Sequence, residues 1–281
     1  MQVAEEYRVA AEPFYLPVGD EVELFEAAYA QRIPVLLKGP TGCGKTRFLE
    51  FMSWRLRQAS EPSPDCPAGG LPLVTIACHE DLTAGDLVGR YLLGAQGTEW
   101  LDGPLTRAVT NGGLCYLDEI VEARKDTMVV IHSLTDHRRL LPIPKRGMVL
   151  TAHPDFLLVV SYNPGYQSAF KDLKHSTRQR FVAIDFGYPP ESLDQRIIAH
   201  ESGVGAGEAG RLALLGQRVR NLDAQRLLEG PSTRLLIYAG RLIAQGVLPR
   251  RACDVAIVKA MTDDTLLQQG VGEVVRTIFD A

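Results

Sequence analysis

The sequence has little of what marks a secreted, membrane-bound or zinc-binding protein. Its five cysteines are odd in number and no two are spaced as C-x-x-C, which argues against a disulfide framework and against a zinc site. No apolar run is long enough to cross a bilayer, and the acidic, polar first residues lack the apolar core of a secretory leader. We therefore expect a soluble protein of the reducing cytoplasm, without membrane insertion.

The chain also has no excess of positive charge. The formal net charge is −4, and no stretch interleaves aromatic with basic residues, so we expect no nucleic-acid partner. What the chain does have is 281 residues with 46% hydrophobic content. That is enough for a large globular domain followed by a smaller one.

One motif identifies the chemistry. Its residues fit the phosphate-loop pattern G-x-x-x-x-G-K-[ST]: Gly39, Pro40, Thr41, Gly42, Cys43, Gly44, Lys45 and Thr46. In this pattern backbone N–H groups converge on phosphate oxygens, the lysine reaches the β- and γ-phosphates, and the final hydroxyl ligates Mg²⁺. The predicted cofactors are ATP and Mg²⁺. An apolar run over 33–37 and a helical pattern over 47–57 supply the strand and helix that this loop requires.

Continuous apolar runs alternate with helical patterns in the first two thirds of the chain. Strands that are covered on both faces read this way, so the pattern predicts an α/β fold with a five-stranded parallel sheet. The five runs are 33–37, 73–77, 114–117, 156–162 and 181–186.

The pattern changes after Tyr188-Pro189-Pro190, where every later segment is helical. The predicted helices cover 191–201, 209–221, 232–245, 249–261 and 264–279. Ser232 is the predicted N-cap of the third of them. We therefore predict an α/β nucleotide-binding subdomain over 1–188 and a helical lid subdomain over 189–281.

Two further strands end in polar residues that suit ATP hydrolysis. Asp118 and Glu119 follow the 114–117 run, and Asn163 follows the 156–162 run. Open α/β sheets place ligands at these carboxyl ends. Asp118 is predicted to hold Mg²⁺, Glu119 to polarise the attacking water, and Asn163 to contact water and γ-phosphate. A turn-forming role for Asn163 before proline is the alternative.

Three arginines are candidates for stabilising charge on the γ-phosphate. Arg178 and Arg180 stand just before the last strand, and Arg234 follows Gly230-Pro231 at the start of a lid helix. A guanidinium suits transition-state phosphate oxygens, although surface arginines are often only solubilising.

In this order the motifs resemble those of an AAA+ ATPase. The phrases LKGPTGCGKTRF, ACHEDLTAGDLVGRYLL, YLDEIVEAR, AHPDFLLVVSYNPGYQ and STRQRF resemble the MoxR group and, within it, the CbbQ/NirQ/NorQ subfamily. The resemblance implies a ring, typically a hexamer, with ATP at each subunit boundary. It implies that a neighbour supplies the arginine finger, for which we choose Arg180 with Arg178 as alternate. It also makes Asn163 the first sensor and Arg234 the lid's sensor arginine.

The MoxR resemblance also implies two β-hairpin insertions near the central pore. They are predicted over 89–101, with a turn at 94–97, and over 138–152, with a turn at 145–147. Five basic residues lie in the second hairpin or directly before it: His137, Arg138, Arg139, Lys145 and Arg146. They either grip an acidic chain segment or form an ordinary solvated hairpin.

The subfamily resemblance implies a partner and a client. The partner is a CbbO-like protein with a von Willebrand factor A domain, and the client is a metalloenzyme. We favour a CbbQ-type activase that frees Rubisco of inhibitory sugar phosphates, with NorQ/NirQ-type maturation of nitric oxide reductase as the alternative. A passive ATP-dependent recruitment switch is a second alternative, and a nucleic-acid motor a third. At Cys43, redox control competes with simple tolerance of a small residue.

Overall fold

The computed structural model describes residues 4–58, 71–94, 97–164, 173–222 and 230–279. These residues form two compact units. The sheet unit comprises the described residues of Met1–Lys38, Lys45–Asn163 and Gln167–Asp185. The helical unit comprises those of Gly39–Gly44, Pro164–Tyr166 and Phe186–Ala281. The subdomain boundary after residue 188 stays a prediction.

A six-stranded sheet organises the sheet unit, with the strand order β1-β3-β6-β9-β2-β10. Its strands are β1 (Glu5–Arg8), β2 (Val35–Lys38), β3 (Pro72–Ala77), β6 (Gly113–Asp118), β9 (Phe156–Tyr162) and β10 (Val182–Asp185). From β3 to β10 all neighbours pair in parallel. Each predicted apolar run is therefore a strand, and every side chain of β9 is buried, as continuous apolar strands require.

The edge strand β1 was not predicted. It pairs antiparallel with β3, with Glu5 opposite Thr75. Its side chains are polar, and Glu6 forms an ion pair with Arg107. An edge strand is exposed on one side and needs no apolar run, so hydrophobic patterning gives no signal for it.

Helices cover the sheet. They are α1 (Glu21–Ala30), α2 (Lys45–Gln58), α3 (Ala84–Val88), α4 (Pro104–Asn111), α5 (Lys125–His132) and α6 (His175–Arg178). Helix α2 follows the phosphate loop and buries Phe48 and Met52 completely. The Phe48 ring meets the Phe25 ring of α1 edge-on, with 5.3 Å between ring centroids. This packing anchors the start of α2, where Lys45 and Thr46 lie.

Both predicted hairpins are present. The first consists of β4 (Gly89–Gly94) and β5 (Gly97–Asp102), and residues 95–96 of its predicted turn lie outside the described residues. The second consists of β7 (Leu140–Ile143) and β8 (Met148–Thr151). The Tyr91 hydroxyl of the first hairpin donates a hydrogen bond to the Lys145 carbonyl oxygen of the second, at 3.2 Å. The hairpins therefore contact each other.

Three of the basic side chains near the second hairpin have partners inside the subunit. Arg139, at φ 52°, donates to the carbonyl oxygens of His153 and Phe156. Arg138 pairs with Asp136, and the Arg146 guanidinium lies 5.8 Å from the Trp100 ring centroid. These contacts favour an intramolecular role over gripping for the three arginines.

The helical unit has its own core. Its helices are α7 (Glu191–Ser202), α8 (Ala206–Arg220), α9 (Thr233–Ala244), α10 (Pro249–Cys253), α11 (Lys259–Met261) and α12 (Thr265–Phe279). A π-helical turn, Asp254–Val258, separates α10 from α11, where the sequence predicts one continuous helix. Ser232 caps α9 as predicted, because its hydroxyl accepts a hydrogen bond from the Leu235 N–H. Within the described part of the chain, no helix is long and apolar enough to span a membrane.

Candidate nucleotide site

The phosphate loop connects β2 to α2 and has the backbone of an anion-binding turn. Gly42 and Gly44 have φ of 70° and 104°, which residues with a side chain rarely adopt. Lys45 and Thr46 are the first residues of α2, a 14-residue helix. Such a helix start concentrates backbone N–H groups and the positive end of the helix dipole.

Two loop glycines also allow close packing inside the helical unit. A Cβ atom at Gly39 would lie 2.4 Å from the Phe186 carbonyl oxygen, and one at Gly42 would lie 2.6 Å from the Ser232 Cβ. Any larger residue at either position would clash. The loop's glycines are therefore required both for its turn and for its contact with the start of α9.

A hydrogen-bonded cluster surrounds Asp118 at the carboxyl end of β6. Asp118 Oδ1 accepts hydrogen bonds from the Tyr116 hydroxyl and, at 2.6 Å, from Ser161 Oγ on β9. The Thr46 side chain is close enough to the Tyr116 hydroxyl to lower its pKa, against the larger effect of burial. Thr46, Tyr116, Ser161 and Asp118 thus lie together, and we call them the Asp118 cluster.

Burial keeps the Tyr116 hydroxyl a donor. Its side chain is fully buried, and burial together with the Asp118 charge raises its pKa above the ordinary tyrosine value. The sequence interpretation missed Tyr116 and Ser161. A signal did exist, since both are hydroxyl residues inside otherwise apolar strands, within two residues of a strand's carboxyl end.

Glu119 follows Asp118 in an unusual backbone conformation. Its φ and ψ are 54° and 53°, left-handed values that are costly for a residue with a side chain. Its N–H donates to Ser161 Oγ at 3.0 Å, so the Asp118 cluster also fixes the start of this turn. Cys78 lies near these two carboxylates. Its burial, and to a smaller extent the charges of Asp118 and Glu119, raise its pKa to about 12, so it stays a neutral thiol.

Asn163 comes directly after β9 and is buried. Tyr162, the last residue of that strand, pairs with Lys38, the last residue of β2. Asn163 therefore lies at the same sheet edge as the end of β2 and the Asp118 cluster. This is the edge at which open α/β sheets bind ligands.

The two candidate finger arginines have different surroundings. Arg178, on α6, is half-buried, and its guanidinium carbon lies 5.4 Å from the Tyr162 ring centroid. Arg180 is exposed and donates a 3.4 Å hydrogen bond to the His132 carbonyl oxygen. That bond is long and its acceptor is a neutral backbone oxygen, so Arg180 can exchange it for a charged ligand at little cost.

Arg234 is the second residue of α9, in the helical unit. A Cβ atom built at Gly42 would lie 3.6 Å from the Cβ of Arg234, so Arg234 lies beside the phosphate loop. The structure thus brings together Lys45, Thr46, Asp118, Glu119 and Asn163 in the sheet unit. In the helical unit it brings Arg234 to Gly39–Gly44.

Comparison with known proteins identifies the family of the chain. Residues 34–181 match the family described as AAA domain (dynein-related subfamily), and residues 194–278 match the CbbQ/NirQ/NorQ C-terminal family. The chain is 55% identical to Protein CbbQ of Hydrogenophilus thermoluteolus over 279 residues, which cover 99% of this chain and 100% of that protein. The chain belongs to the CbbQ/NirQ/NorQ subfamily of the AAA+ ATPases.

Other members of the subfamily are nearly as similar. The Denitrification regulatory protein NirQ of Stutzerimonas stutzeri is 52% identical over 267 residues, with 95% of this chain and 92% of that protein covered. Protein NorQ of Paracoccus denitrificans is also 52% identical over 267 residues, with 95% and 94% covered. Among solved structures, a RuvB mutant of Thermotoga maritima matches 95% of this chain and 73% of its own chain. Its TM-score is 0.55 at 17% identity, which supports the fold.

A nucleotide-binding AAA+ chain needs oxygen ligands for a Mg²⁺ ion, and the Asp118 cluster fits this need. Mg²⁺ prefers carboxylate and hydroxyl oxygens, keeps several waters and is completed by nucleotide phosphates. The Thr46 hydroxyl and the Asp118 carboxylate both lie beside the Tyr116 hydroxyl, so two oxygen donors are close together at this edge of the sheet. The donor set therefore suits this ion.

Proposed function

We propose that this member of the CbbQ/NirQ/NorQ subfamily is a Mg²⁺-dependent ATPase that works as a ring, a hexamer, and remodels a client enzyme. The Asp118 cluster carries the proposal. It brings the side chain of Thr46, the last residue of the phosphate-loop motif, close to the carboxylate at the end of β6, as a Mg²⁺–ATP site requires. In this assignment, Gly39–Gly44 and Lys45 bind the phosphates, while Thr46 and Asp118 hold the ion.

The remaining residues have roles in hydrolysis. Glu119 polarises the attacking water and Asn163 positions it against the γ-phosphate. Arg180 reaches the γ-phosphate of the neighbouring subunit as the arginine finger, and Arg234 contacts the γ-phosphate from the helical unit. Arg180 is exposed, whereas the Arg178 guanidinium lies over the Tyr162 ring. Both observations support Arg180 as the arginine finger.

Replacing Tyr116 by phenylalanine tests the ion site. The ring would still fill its buried place, but Asp118 would lose a hydrogen-bond donor and Thr46 would lose the hydroxyl beside it. Because groups that orient metal ligands typically contribute at least tenfold to metal affinity, we expect the Mg²⁺ concentration for half-maximal ATPase activity to rise about tenfold. A Mg²⁺ titration of ATPase activity at saturating ATP measures it.

Tyr29→Phe is the matched control, since its hydroxyl bonds only weakly to the Asp155 carbonyl oxygen at 3.5 Å. It should leave the Mg²⁺ dependence unchanged. If Tyr116→Phe behaves like this control, the proposed role of the Asp118 cluster in ion binding is wrong.

For the client, we propose Rubisco. In this proposal the ring acts with a CbbO-like partner carrying a von Willebrand factor A domain and releases inhibitory sugar phosphates. The support is the 55% identity to a CbbQ protein over essentially the full length of both chains. Changes in an ATP-driven ring can supply the work that opens a closed loop over a bound ligand.

Maturation of nitric oxide reductase is the second candidate function. It is favoured by the 52% identity to NirQ and NorQ over more than nine tenths of each chain. The motifs of the nucleotide site serve both functions equally. The client enzyme that the chain recognises therefore determines which of the two functions it performs, and the ATPase site does not.

A reactivation assay separates the two. The chain and a CbbO-type partner are mixed with Rubisco inhibited by a tightly bound sugar bisphosphate, and carboxylation is followed after addition of ATP. We expect activity to return with ATP and the wild-type chain, and to stay low with the Lys45→Ala variant. The second candidate would be supported if Rubisco were not reactivated and nitric oxide reductase were activated in an ATP-dependent way.

A further inference from the structure

We infer that Tyr188, Asp194 and Arg220 form a positioning relay that holds Arg234 against the phosphate loop. The inference rests on the proposed function, because it assigns residues that act through Arg234 and the loop. All members lie in the helical unit, together with Gly39–Gly44 and Arg234. None belongs to the phosphate-loop or D-E motifs.

At the centre of the relay is a buried ion pair. Arg220, the last residue of α8, donates to Asp194 Oδ2 of α7 at 2.6 Å. The Asp194 side chain is fully buried and that of Arg220 is only 11% exposed. The second Asp194 oxygen accepts from the Thr233 hydroxyl at 2.8 Å, so this carboxylate binds the first residue of α9 directly.

The Arg220 guanidinium extends this grip to the segment before Arg234. Its Nε donates to the Pro231 carbonyl oxygen at 2.9 Å, and one of its terminal nitrogens lies 3.4 Å from Thr233 Oγ1. The backbone at Pro231 and the side chain at Thr233 are thus both held. Arg234 follows immediately, so the position of its Cα is set by this pair of contacts.

Tyr188 connects the same pair to the phosphate loop. Its ring lies against the Arg220 guanidinium, with 4.2 Å from the guanidinium carbon to the ring centroid. Its hydroxyl is 3.3 Å from the Thr41 carbonyl oxygen and 3.4 Å from that of Gly230, and its single hydrogen is shared between these two acceptors. One hydroxyl therefore bridges the loop and the chain segment that leads to Arg234.

Energetics favour a positioning role over a purely stabilising one. A buried ion pair often adds little net stability, because taking two charges out of water offsets their attraction. Apolar side chains could fill the same space. The ion pair instead fixes the local geometry, because the planar guanidinium of Arg220 holds three partners at fixed angles. Those partners are the carboxylate, the Pro231 backbone and the Thr233 side chain.

The relay should therefore affect nucleotides with a γ-phosphate more than nucleotides without one. The decisive measurement is the ratio of dissociation constants for ADP and for the β,γ-imido analogue of ATP. Tyr188→Phe keeps the ring on Arg220 but removes the hydroxyl bridge. Because one hydrogen bond is lost, we expect this ratio to fall about threefold to tenfold. Arg220→Lys, which keeps the charge but loses the fork, should lower it as well.

A double-mutant cycle with Arg234→Ala distinguishes positioning from general loosening. If Tyr188 acts through Arg234, the ratio in the Tyr188→Phe, Arg234→Ala double variant should equal that in Arg234→Ala alone. Tyr238→Phe, an exposed tyrosine on α9, is the control and should leave the ratio unchanged. Thermal unfolding of each variant verifies that it is folded.

Two results would overturn the relay. One is a Tyr188→Phe ratio equal to that of Tyr238→Phe, and the other is a double variant that shows the product of the single effects. Failure of the proposed function is a separate result, because then Lys45→Ala would bind both nucleotides as tightly as the unaltered chain. A failed relay would leave the dependence on Lys45 intact.

Discussion

Replacing Glu119 by glutamine is expected to leave ATP binding intact and to lower the ATPase kcat by about 100-fold to 10,000-fold, the range for loss of a general base. Glutamine is isosteric but cannot accept the proton of the attacking water. The Glu119 backbone is left-handed and its N–H is bound by Ser161, so the variant should keep the local fold. Nucleotide titration and steady-state ATPase assays give the two quantities.

Glu122→Gln is the matched control, since it removes an equal charge from the short 3₁₀ turn Ile120–Glu122 that directly follows Glu119, and Glu122 has no proposed role in catalysis. It should hydrolyse ATP normally. The Glu119→Gln variant should also be tested for activation of the client enzyme. Full client activation without hydrolysis would refute the motor and favour the passive switch, in which ATP binding alone orders the recruiting surface.

Hydrophobic patterning was sufficient to predict the parallel strands and the helical unit, because these elements are buried and their side chains are selected by packing. Hydrophobic patterning failed for segments whose conformation is not determined by burial. Strand β1 is polar and lies at a sheet edge, where backbone pairing with β3 determines the conformation. The π-helical turn Asp254–Val258 occurs within an amphipathic pattern that also fits a regular helix.

The nucleotide motifs were visible because phosphate binding needs particular residues at fixed spacing along the chain. The contacts that support these motifs were not visible, since the residues that make them meet only in three dimensions. Ser161 reaches Asp118 because β9 lies beside β6, and Arg220 reaches Thr233 because α8 ends beside the start of α9. Neither contact follows from the separation of the residues in the sequence.

The preference for Arg180 over Arg178 as the finger had no support in the sequence pattern, where both precede the same strand. In the structure Arg178 is directed onto Tyr162, a side chain of its own sheet unit, whereas Arg180 is exposed. An arginine that acts on a neighbouring subunit must be accessible before assembly. We therefore expect Arg180→Ala to lower kcat about 1000-fold, as loss of an arginine finger does.

Mixing two inactive variants tests whether the finger acts between subunits. Lys45→Ala destroys the phosphate site but keeps Arg180, and Arg180→Ala does the reverse. If sites are shared between neighbours, random one-to-one mixing should make about one quarter of the interfaces competent, because a site needs Lys45 from one subunit and Arg180 from the next. ATPase activity should then return in the mixture, although each variant alone is inert.

The same mixing result depends on assembly, so dilution provides its control. Activity of the mixture, and of the unaltered chain, should fall steeply as subunits dissociate, since a lone subunit lacks a finger. Arg178→Ala mixed with Lys45→Ala checks the choice of residue, because Arg178→Ala alone should retain most of its activity. A mixture that stays inert, or a monomer that hydrolyses ATP at the full rate, would place the finger within its own subunit and remove the physical reason for a ring.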